Sequence, residues 1–191
     1  MAKLHPVLRA AGGDGALPDW VRMSPARHAH AERVGKLLWK WGKALDLSKR
    51  ERRRWRAAGL LHDALKDERP RVLRELVTEA SDWPGPLLHG PACAELLRRE
   101  GVDDESFLLA ISHHTTGHPD FDRLGEALYL ADYLEPDRRG MAMRRASWRR
   151  RLPDDWEQVL IEVAASKIGT LLDRQVPIPG VTSRFWRRLT A

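Results

Sequence analysis

The sequence contains little cysteine and no long apolar run. Cys93 is the only cysteine among 191 residues, which excludes an internal disulfide and a cysteine-rich zinc module. No apolar stretch reaches the roughly 18 residues that a transmembrane helix needs, and residues 1–20 lack a continuous apolar segment of signal-peptide length. These absences predict a soluble protein of a reducing compartment, the cytoplasm, with no membrane partner.

Strand patterns are also missing, since no segment alternates apolar and polar residues convincingly. Turn residues instead break the chain at Pro70, 82–86, 115–120, 135–140, Pro153 and 176–180, with helical patterns between them. The N-terminal segment holds Gly12, Gly13, Gly15 and Pro18, too many breakers for a helix of any length. The sequence therefore predicts one all-α domain over residues 20–191, preceded by a flexible arm over residues 1–19.

The charge is positive, at +6. Much of the excess lies in two runs, residues 49–56 and 144–151, each of which contains a Trp. One interpretation is a solvated helix face with its single aromatic turned inward, and the other is a nucleic-acid surface on which bases stack against the Trp residues. The charge favours a polyanionic partner without naming a reaction, and the sequence leaves a homodimer open.

Three polar residues fall on the buried faces of predicted helices. A helix over residues 24–45 has its apolar stripe at i, i+3, i+4 and i+7 spacing, and His30 heads this stripe while His28 points away. By the same spacing His114 continues the inner face of the helix before it, and Asp132 falls on or beside the apolar stripe of the next helix. A buried carboxylate either protonates or is matched by a cation, and a buried imidazole must at least find hydrogen bonds, but several such residues in one domain together indicate a metal site.

The pair His62–Asp63 interrupts an otherwise apolar helix. Adjacent helical residues diverge by about 100°, so His62 can give a ring nitrogen to one ion while Asp63 serves the same ion or a second one. His89, near the start of a further helix, adds another imidazole. Mixed imidazole and carboxylate ligands without thiolate fit iron, manganese or another first-row ion better than a structural zinc.

The order of these residues resembles the HD superfamily of metal-dependent phosphohydrolases. More narrowly, it resembles the YqeK family, described as symmetrical bis(5′-nucleosyl)-tetraphosphatases. The phrases that carry the likeness are "RHAHAERV", "AGLLHDALK", "PLLHGPACAELL", "AISHHTTG" and "ALYLADYLEPDR". The likeness spans residues 25–172 and implies an HD-type helical bundle.

The resemblance also implies a dinuclear metal site, most simply of iron. One ion is expected at His30, His62, Asp63 and Asp132, and the other at His89 and His114, with Asp63 as the bridge. Asp63 is thus a catalytic residue, and the nucleophile is a metal-bridged hydroxide that cleaves diadenosine tetraphosphate into two ADP.

Substrate contacts are expected from cations and from a loop. Lys66, one turn after His62, is predicted to contact a phosphate and to assist catalysis. Arg138 is also predicted to bind a phosphate, and Arg27 is a weaker candidate for the same role. Thr115 and Gly117 are expected to shape the loop beside the metal site, Gly117 through a positive φ. Two alternatives remain: an HD phosphohydrolase for a nucleoside mono- or triphosphate or a cyclic dinucleotide, and a basic nucleic-acid-binding helical module.

Overall fold

The computed structural model describes residues 3–77, 83–138 and 140–191, and these residues form α-helices without a strand. The prediction of an all-α fold is confirmed. The predicted breaks at Asp82 and Arg139 fall outside the described residues. The helices are α1 Pro6–Gly13, α2 Pro25–Ala44, α3 Lys49–Leu61, α4 Pro70–Leu76, α5 His89–Arg99, α6 Glu105–His113, α7 Arg123–Leu134, α8 Ala142–Arg151, α9 Trp156–Asp173 and α10 Gly180–Thr190.

The N-termini of the central helices are fixed by side-chain caps. Ser24 Oγ accepts a hydrogen bond from the backbone N–H of Arg27, and Asp122 Oδ1 accepts one from the backbone N–H of Gly125. Asp104 caps α6 and also accepts two hydrogen bonds from the buried guanidinium of Arg54 on α3, at 2.6 and 2.7 Å. This ion pair ties the start of α6 to α3 and so helps to set where α6 ends.

Helices α2 and α3 cross at very short distance because two glycines meet there. A Cβ atom on Gly59 would lie 2.6 Å from both the Cα and the N atom of Gly35, closer than real Cβ contacts allow. The crossing brings the first half of α2 against the end of α3. Helix α7 packs against both of them, and α5 and α6 pack on each other.

The expectation of a loosely packed N-terminal arm without a helix is wrong for residues 6–13. Pro6 occupies the first turn of α1, where its missing N–H costs nothing, and Leu8 and Ala11 are fully buried against the core. Gly12 is required by contact rather than by flexibility, since a Cβ there would lie 2.0 Å from the Arg53 carbonyl oxygen. Packing on α3 thus overrides the weak helical propensity of this glycine-rich segment.

The two basic runs lie on α3 and α8 with their aromatics inward. Trp55 and Trp148 are both buried, so neither is available to stack on a base. Arg54 and Arg145 are buried as well. Among the helices of the described residues, none is both long enough and apolar enough to cross a membrane.

Candidate metal centre

Six polar side chains from five segments converge in the interior. They come from the first half of α2, the turn that follows α3, the start of α5, the C-cap of α6 and the second half of α7. All are buried, between 0 and 9% exposed: His30, His62, Asp63, His89, His114 and Asp132. The structure therefore brings together the whole set of predicted ligands.

Ligand atoms of four of the six residues form a first cluster. His30 Nε2 lies 3.1 Å from Asp132 Oδ1, and His62 Nε2 lies 3.9 Å from the same oxygen. One ligand atom from each of these three residues lies within 4.8 Å of the others. Asp63 Oδ2 joins them, at 3.6 Å from His62 Nε2 and 3.9 Å from His30 Nε2.

A second group forms on the other oxygen of Asp63. His89 Nε2 and His114 Nε2 are 3.0 Å apart, and they lie 3.1 Å and 3.5 Å from Asp63 Oδ1. One carboxylate thus faces two imidazoles with one oxygen and two different imidazoles with the other. That arrangement allows Asp63 to bridge two cations or to serve one.

The local backbone explains why the Nε2 atoms face the centre. Nδ1 of His62, His89 and His114 each lies 2.8–3.0 Å from the carbonyl oxygen three residues earlier, so Nδ1 carries the donated proton. His30 Nδ1 instead faces the Glu135 carboxylate at 3.3 Å. In the three rings whose Nδ1 meets a backbone carbonyl, that hydrogen bond fixes the ring and turns Nε2 toward the centre.

His62 and Asp63 do not lie within a helix as predicted. Helix α3 ends at Leu61, His62 is its C-cap with helical φ and ψ, and residues 62–67 continue in turns. Although His62 keeps helical dihedral angles, its Nε2 lies 3.6 Å from Asp63 Oδ2, so both side chains face the same centre.

Protonation states in the centre suit metal ligands. Burial lowers the pKa of His62 to about 4 and also lowers the pKa of His89 and His114, which keeps these rings neutral. Burial would raise the pKa of Asp63, but the surrounding imidazoles hold it well below its usual value. Neutral imidazoles and ionised carboxylates are the forms that coordinate cations.

The protonation of Asp132 and His30 depends on the charges around them. Burial opposes ionisation of Asp132, yet Arg138 and His30 hold the pKa of this carboxyl well below its usual value. Burial also lowers the pKa of His30, but the carboxylates of Asp132, Asp63 and Glu135 outweigh it and raise the pKa overall. His30 is therefore the imidazole with the strongest carboxylate support.

The residues present fit a metal cofactor. His62 Nε2 is buried and has no hydrogen-bond partner among the described residues, which is costly unless a further group binds it. The donors are imidazole nitrogens and carboxylate oxygens. Cys93 is not among them, because its thiol donates to the Leu61 carbonyl at 3.1 Å. Such a donor set suits a first-row divalent ion.

The predicted substrate cations lie at the centre itself. Arg27 Nη1 contacts Asp63 Oδ2 at 2.8 Å, Arg138 Nη1 contacts Asp132 Oδ1 at 2.7 Å, and Lys66 Nζ lies 3.4 Å from the His89 ring nitrogens. Burial lowers the pKa of Lys66. Arg27, taken as the weaker candidate from sequence, is as close to the ligands as Arg138.

The predicted loop follows α6. Gly117 has φ +76°, as expected, and a Cβ there would lie 2.2 Å from the Phe185 ring of α10. Thr115 is half-buried between His114 and this glycine. The tail helix α10 therefore packs directly against the loop beside His114.

Glu135 and Lys167 are two residues that were not predicted from the sequence. Glu135 is buried and contacts both His30 and Arg33. It lies three residues after Asp132, a spacing that could have placed it on the same helical face. Lys167 on α9 has its Nζ 3.7 Å from the centre of the Tyr129 ring, and burial lowers its pKa to about 7. No sequence pattern marks Lys167, because only the packing of α9 on α7 brings it there.

A large groove lies elsewhere. It has a volume of about 800 Å³, runs between α4, α5 and α6, and reaches Trp83 and His113, whose rings are 5.4 Å apart. None of the six converging side chains lines it. The groove and the candidate metal centre are therefore lined by different residues.

Comparison with known proteins gives a consistent result. Residues 27–137 match the HD domain family. Three curated relatives are named "Bis(5'-nucleosyl)-tetraphosphatase, symmetrical". The Staphylococcus aureus protein is 32% identical over 61% of this chain, the Halalkalibacterium halodurans protein 31% over 71%, and the Bacillus subtilis protein 27% over 83%.

Coverage of these relatives varies. The matched region spans 62% of the S. aureus protein, 76% of the H. halodurans protein and 87% of the B. subtilis protein. A solved structure from Clostridium acetobutylicum, described as a "predicted HD superfamily hydrolase involved in NAD metabolism", superposes with a TM-score of 0.77 at 26% identity. That match covers 88% of this chain and 90% of the other.

Proposed function

Because this chain belongs to the HD domain family, we propose that it is a metal-dependent phosphohydrolase that cleaves diadenosine tetraphosphate symmetrically into two ADP. The observation that carries the proposal is the division of ligand atoms about Asp63. A pair of imidazoles faces each of its two oxygens, and the cations beside them suit a polyphosphate. The names of the curated relatives supply the substrate class.

The centre holds two ions in this proposal. His30, His62 and Asp132 would hold one, His89 and His114 would hold the other, and Asp63 would contribute to both. Iron is the first choice, and manganese or another first-row ion is the alternative, because the donors are nitrogen and oxygen without thiolate. When bound, such ions supply Lewis acidity and activate a water for attack on phosphorus.

The other residues position a highly anionic substrate. Lys66 and Arg138 contact phosphate oxygens and thereby neutralise charge that grows on the departing phosphate, while Arg27 holds the Asp63 carboxylate in place. Lys167 adds a fourth cation, and it has no carboxylate within ion-pair distance among the residues that the structure describes. Because burial lowers the pKa of Lys167 to about 7, a bound phosphate would favour its charged form.

The loop and the compartment complete the proposal. Thr115 and Gly117 shape the edge of the site next to His114, where the positive φ of Gly117 turns the chain. The activity belongs to the cytoplasm, which the single, buried and reduced Cys93 supports. A homodimer stays a prediction.

Product analysis tests this function. Protein loaded with ferrous iron or manganese is incubated with diadenosine tetraphosphate, and the nucleotides are separated by chromatography. We expect ADP as the sole product. Formation of AMP and ATP would contradict symmetrical cleavage, and inertness toward this substrate together with turnover of another nucleotide would contradict the substrate.

Two neighbouring histidines provide a matched pair of variants. His30→Ala removes a proposed ligand, whereas His28→Ala removes an exposed imidazole two residues away on the same helix. Loss of a ligand should exceed the about 10–100-fold cost of losing a ligand's hydrogen-bond partner, so we expect turnover to fall more than about 100-fold in His30→Ala. The His28→Ala variant should retain wild-type turnover.

A further inference from the structure

A second pocket, of about 390 Å³, lies between the end of α1, the outer face of α2 and the start of α3. We call it the basic pocket and define it by Lys36, Trp39, Lys49 and Arg53, which line it together with Gly12, Gly13, Asp14 and Arg56. Its volume falls within the roughly 300–1,000 Å³ typical of small-molecule sites.

The basic pocket is separate from the candidate metal centre. Trp39 follows His30 by nine residues on α2, and Arg53 precedes His62 by nine residues along α3. Nine residues span about two and a half helical turns, which places the two side chains on opposite faces of the helix and about 14 Å apart along its axis. Both helices therefore present the pocket on the face opposite to the metal ligands. Its α1 wall also lies outside residues 27–137, which match the HD domain.

Positive charge dominates the lining. Four cations face one carboxylate, that of Asp14. Arg56 is already engaged, since its Nη1 donates to the carbonyl oxygens of Gly12 and Gly13 and so holds α1 in place. Lys36 has only a weak partner, Glu32 at 3.8 Å, and its side chain is 73% exposed.

Lys49 and Arg53 are the cations without a counter-ion. Within the described ranges, no carboxylate oxygen lies within 4.0 Å of either side chain. Lys49 is also the first residue of α3, where the helix dipole adds partial positive charge. Two unpaired cations at a helix N-terminus, inside a pocket, are suited to an anion such as a phosphate.

Trp39 gives the pocket an aromatic wall. Unlike the buried Trp55 of the neighbouring helix, Trp39 is half-buried and lines the pocket. The Arg52 guanidinium lies over its ring at 5.2 Å from the centroid. An indole beside unpaired cations is the combination that binds a base and its phosphate together.

We propose that the basic pocket binds a nucleotide, with the phosphate on Lys49 and Arg53 and the base against Trp39. The nucleotide is either free or part of a single strand of nucleic acid. This site is independent of the phosphohydrolase centre, so the inference stands or falls apart from the proposed catalytic function. It also gives a role to the α1 segment and to one of the two basic runs.

The test uses the indole N–H signals of the eight Trp residues in a nitrogen-15 correlation spectrum. Trp39→Phe identifies the Trp39 signal. AMP, an oligoadenylate and inorganic phosphate are then titrated separately into the full-length protein. We expect a saturable shift of the Trp39 signal with AMP or with the oligoadenylate. A response to AMP identifies a free nucleotide, and a response to the oligoadenylate alone identifies a phosphodiester strand.

Charge variants complete the test. Lys49→Ala/Arg53→Ala should weaken binding at least about tenfold, because both charge-assisted hydrogen bonds to the phosphate are lost. Lys40→Ala/Lys43→Ala removes the same charge from exposed positions of α2 outside the pocket and should leave binding unchanged. Both double variants should retain wild-type hydrolase activity.

Salt dependence gives a second readout for the oligoadenylate. Two phosphate contacts, through Lys49 and Arg53, predict that raising salt from about 50 to about 200 mM weakens wild-type binding about sevenfold, against little change in Lys49→Ala/Arg53→Ala. The proposal is overturned if neither nucleotide shifts Trp39, if inorganic phosphate alone produces the whole shift, or if the shift persists in Lys49→Ala/Arg53→Ala.

Discussion

Glu135 supports the metal centre without belonging to it, and its replacement by Ala is the most informative single change. Its carboxylate faces His30 Nδ1 at 3.3 Å, contacts Arg33 and accepts a hydrogen bond from the backbone N–H of Asp137 at 2.9 Å. His30 in turn places Nε2 at 3.1 Å from Asp132. Glu135 therefore fixes the ring orientation and the tautomer of a proposed ligand.

The expected loss follows from that contact. Removing the partner of a ligating histidine costs about 10–100-fold in metal affinity, or about 1.4–2.7 kcal/mol. We expect Glu135→Ala to fall near the upper limit, because the Arg33 guanidinium also loses its buried partner and stays beside His30. Glu135→Gln keeps a neutral acceptor and should lose less.

The assay is competition for the metal against a chromophoric chelator, with thermal unfolding as a check on folding. Asp137→Ala is the matched control, since Asp137 also pairs with Arg33, at 3.3 Å, but is exposed and does not contact His30. If the Glu135→Ala variant and the wild type bind the metal with equal affinity, Glu135 does not support the ligand His30. Equal losses in Glu135→Ala and Asp137→Ala would assign the effect to Arg33 instead.

Three further changes test other parts of the account. Lys167→Met should raise the KM for diadenosine tetraphosphate about 10–100-fold with a smaller change in kcat, whereas Lys167→Arg should stay near wild type, as steady-state kinetics will show. Burial alone would raise the pKa of Asp104, but Arg54 holds this pKa below its usual value. The ion pair therefore stabilises the fold fully above about pH 4, and less as the pH falls through the lowered pKa. Urea unfolding should therefore show Asp104→Asn less stable than wild type by about 2–3 kcal/mol at pH 7, and an unchanged difference at pH 3 would contradict this. Gly59→Ala should cost at least about 1–3 kcal/mol and also weaken metal binding, because it pushes α2 away from α3, while Gly169→Ala, whose Cβ meets nothing within 4 Å, should be neutral or stabilising.

Helical periodicity was sufficient to predict which polar residues face inward. His30, His114 and Asp132 were placed from apolar spacing alone, and the structure buries all three while His28 is exposed. His30 meets His62 through the α2–α3 crossing, which depends on two glycines, whereas His114 and Asp132 come from α6 and α7, which pack on α3. Spacing within one helix carries no information about such a contact, so the resemblance to a family supplied it.

Features that depend on packing between distant segments could not be predicted. The α1 segment is helical because Leu8 and Gly12 fit against α3, although its local sequence favours a break. Lys167 lies over the Tyr129 ring only because α9 packs on α7. The basic pocket likewise needs α1, α2 and α3 together. Charge counting detected the basic run but not which of its members remain unpaired.

The proposed two-ion centre can be observed by anomalous diffraction at the iron absorption edge, from crystals of protein loaded with ferrous iron. The account predicts two peaks on either side of the Asp63 carboxylate, one contacted by His30, His62 and Asp132 and the other by His89 and His114. Absence of any peak between these residues in fully loaded protein, or iron bound only at other side chains, would contradict it.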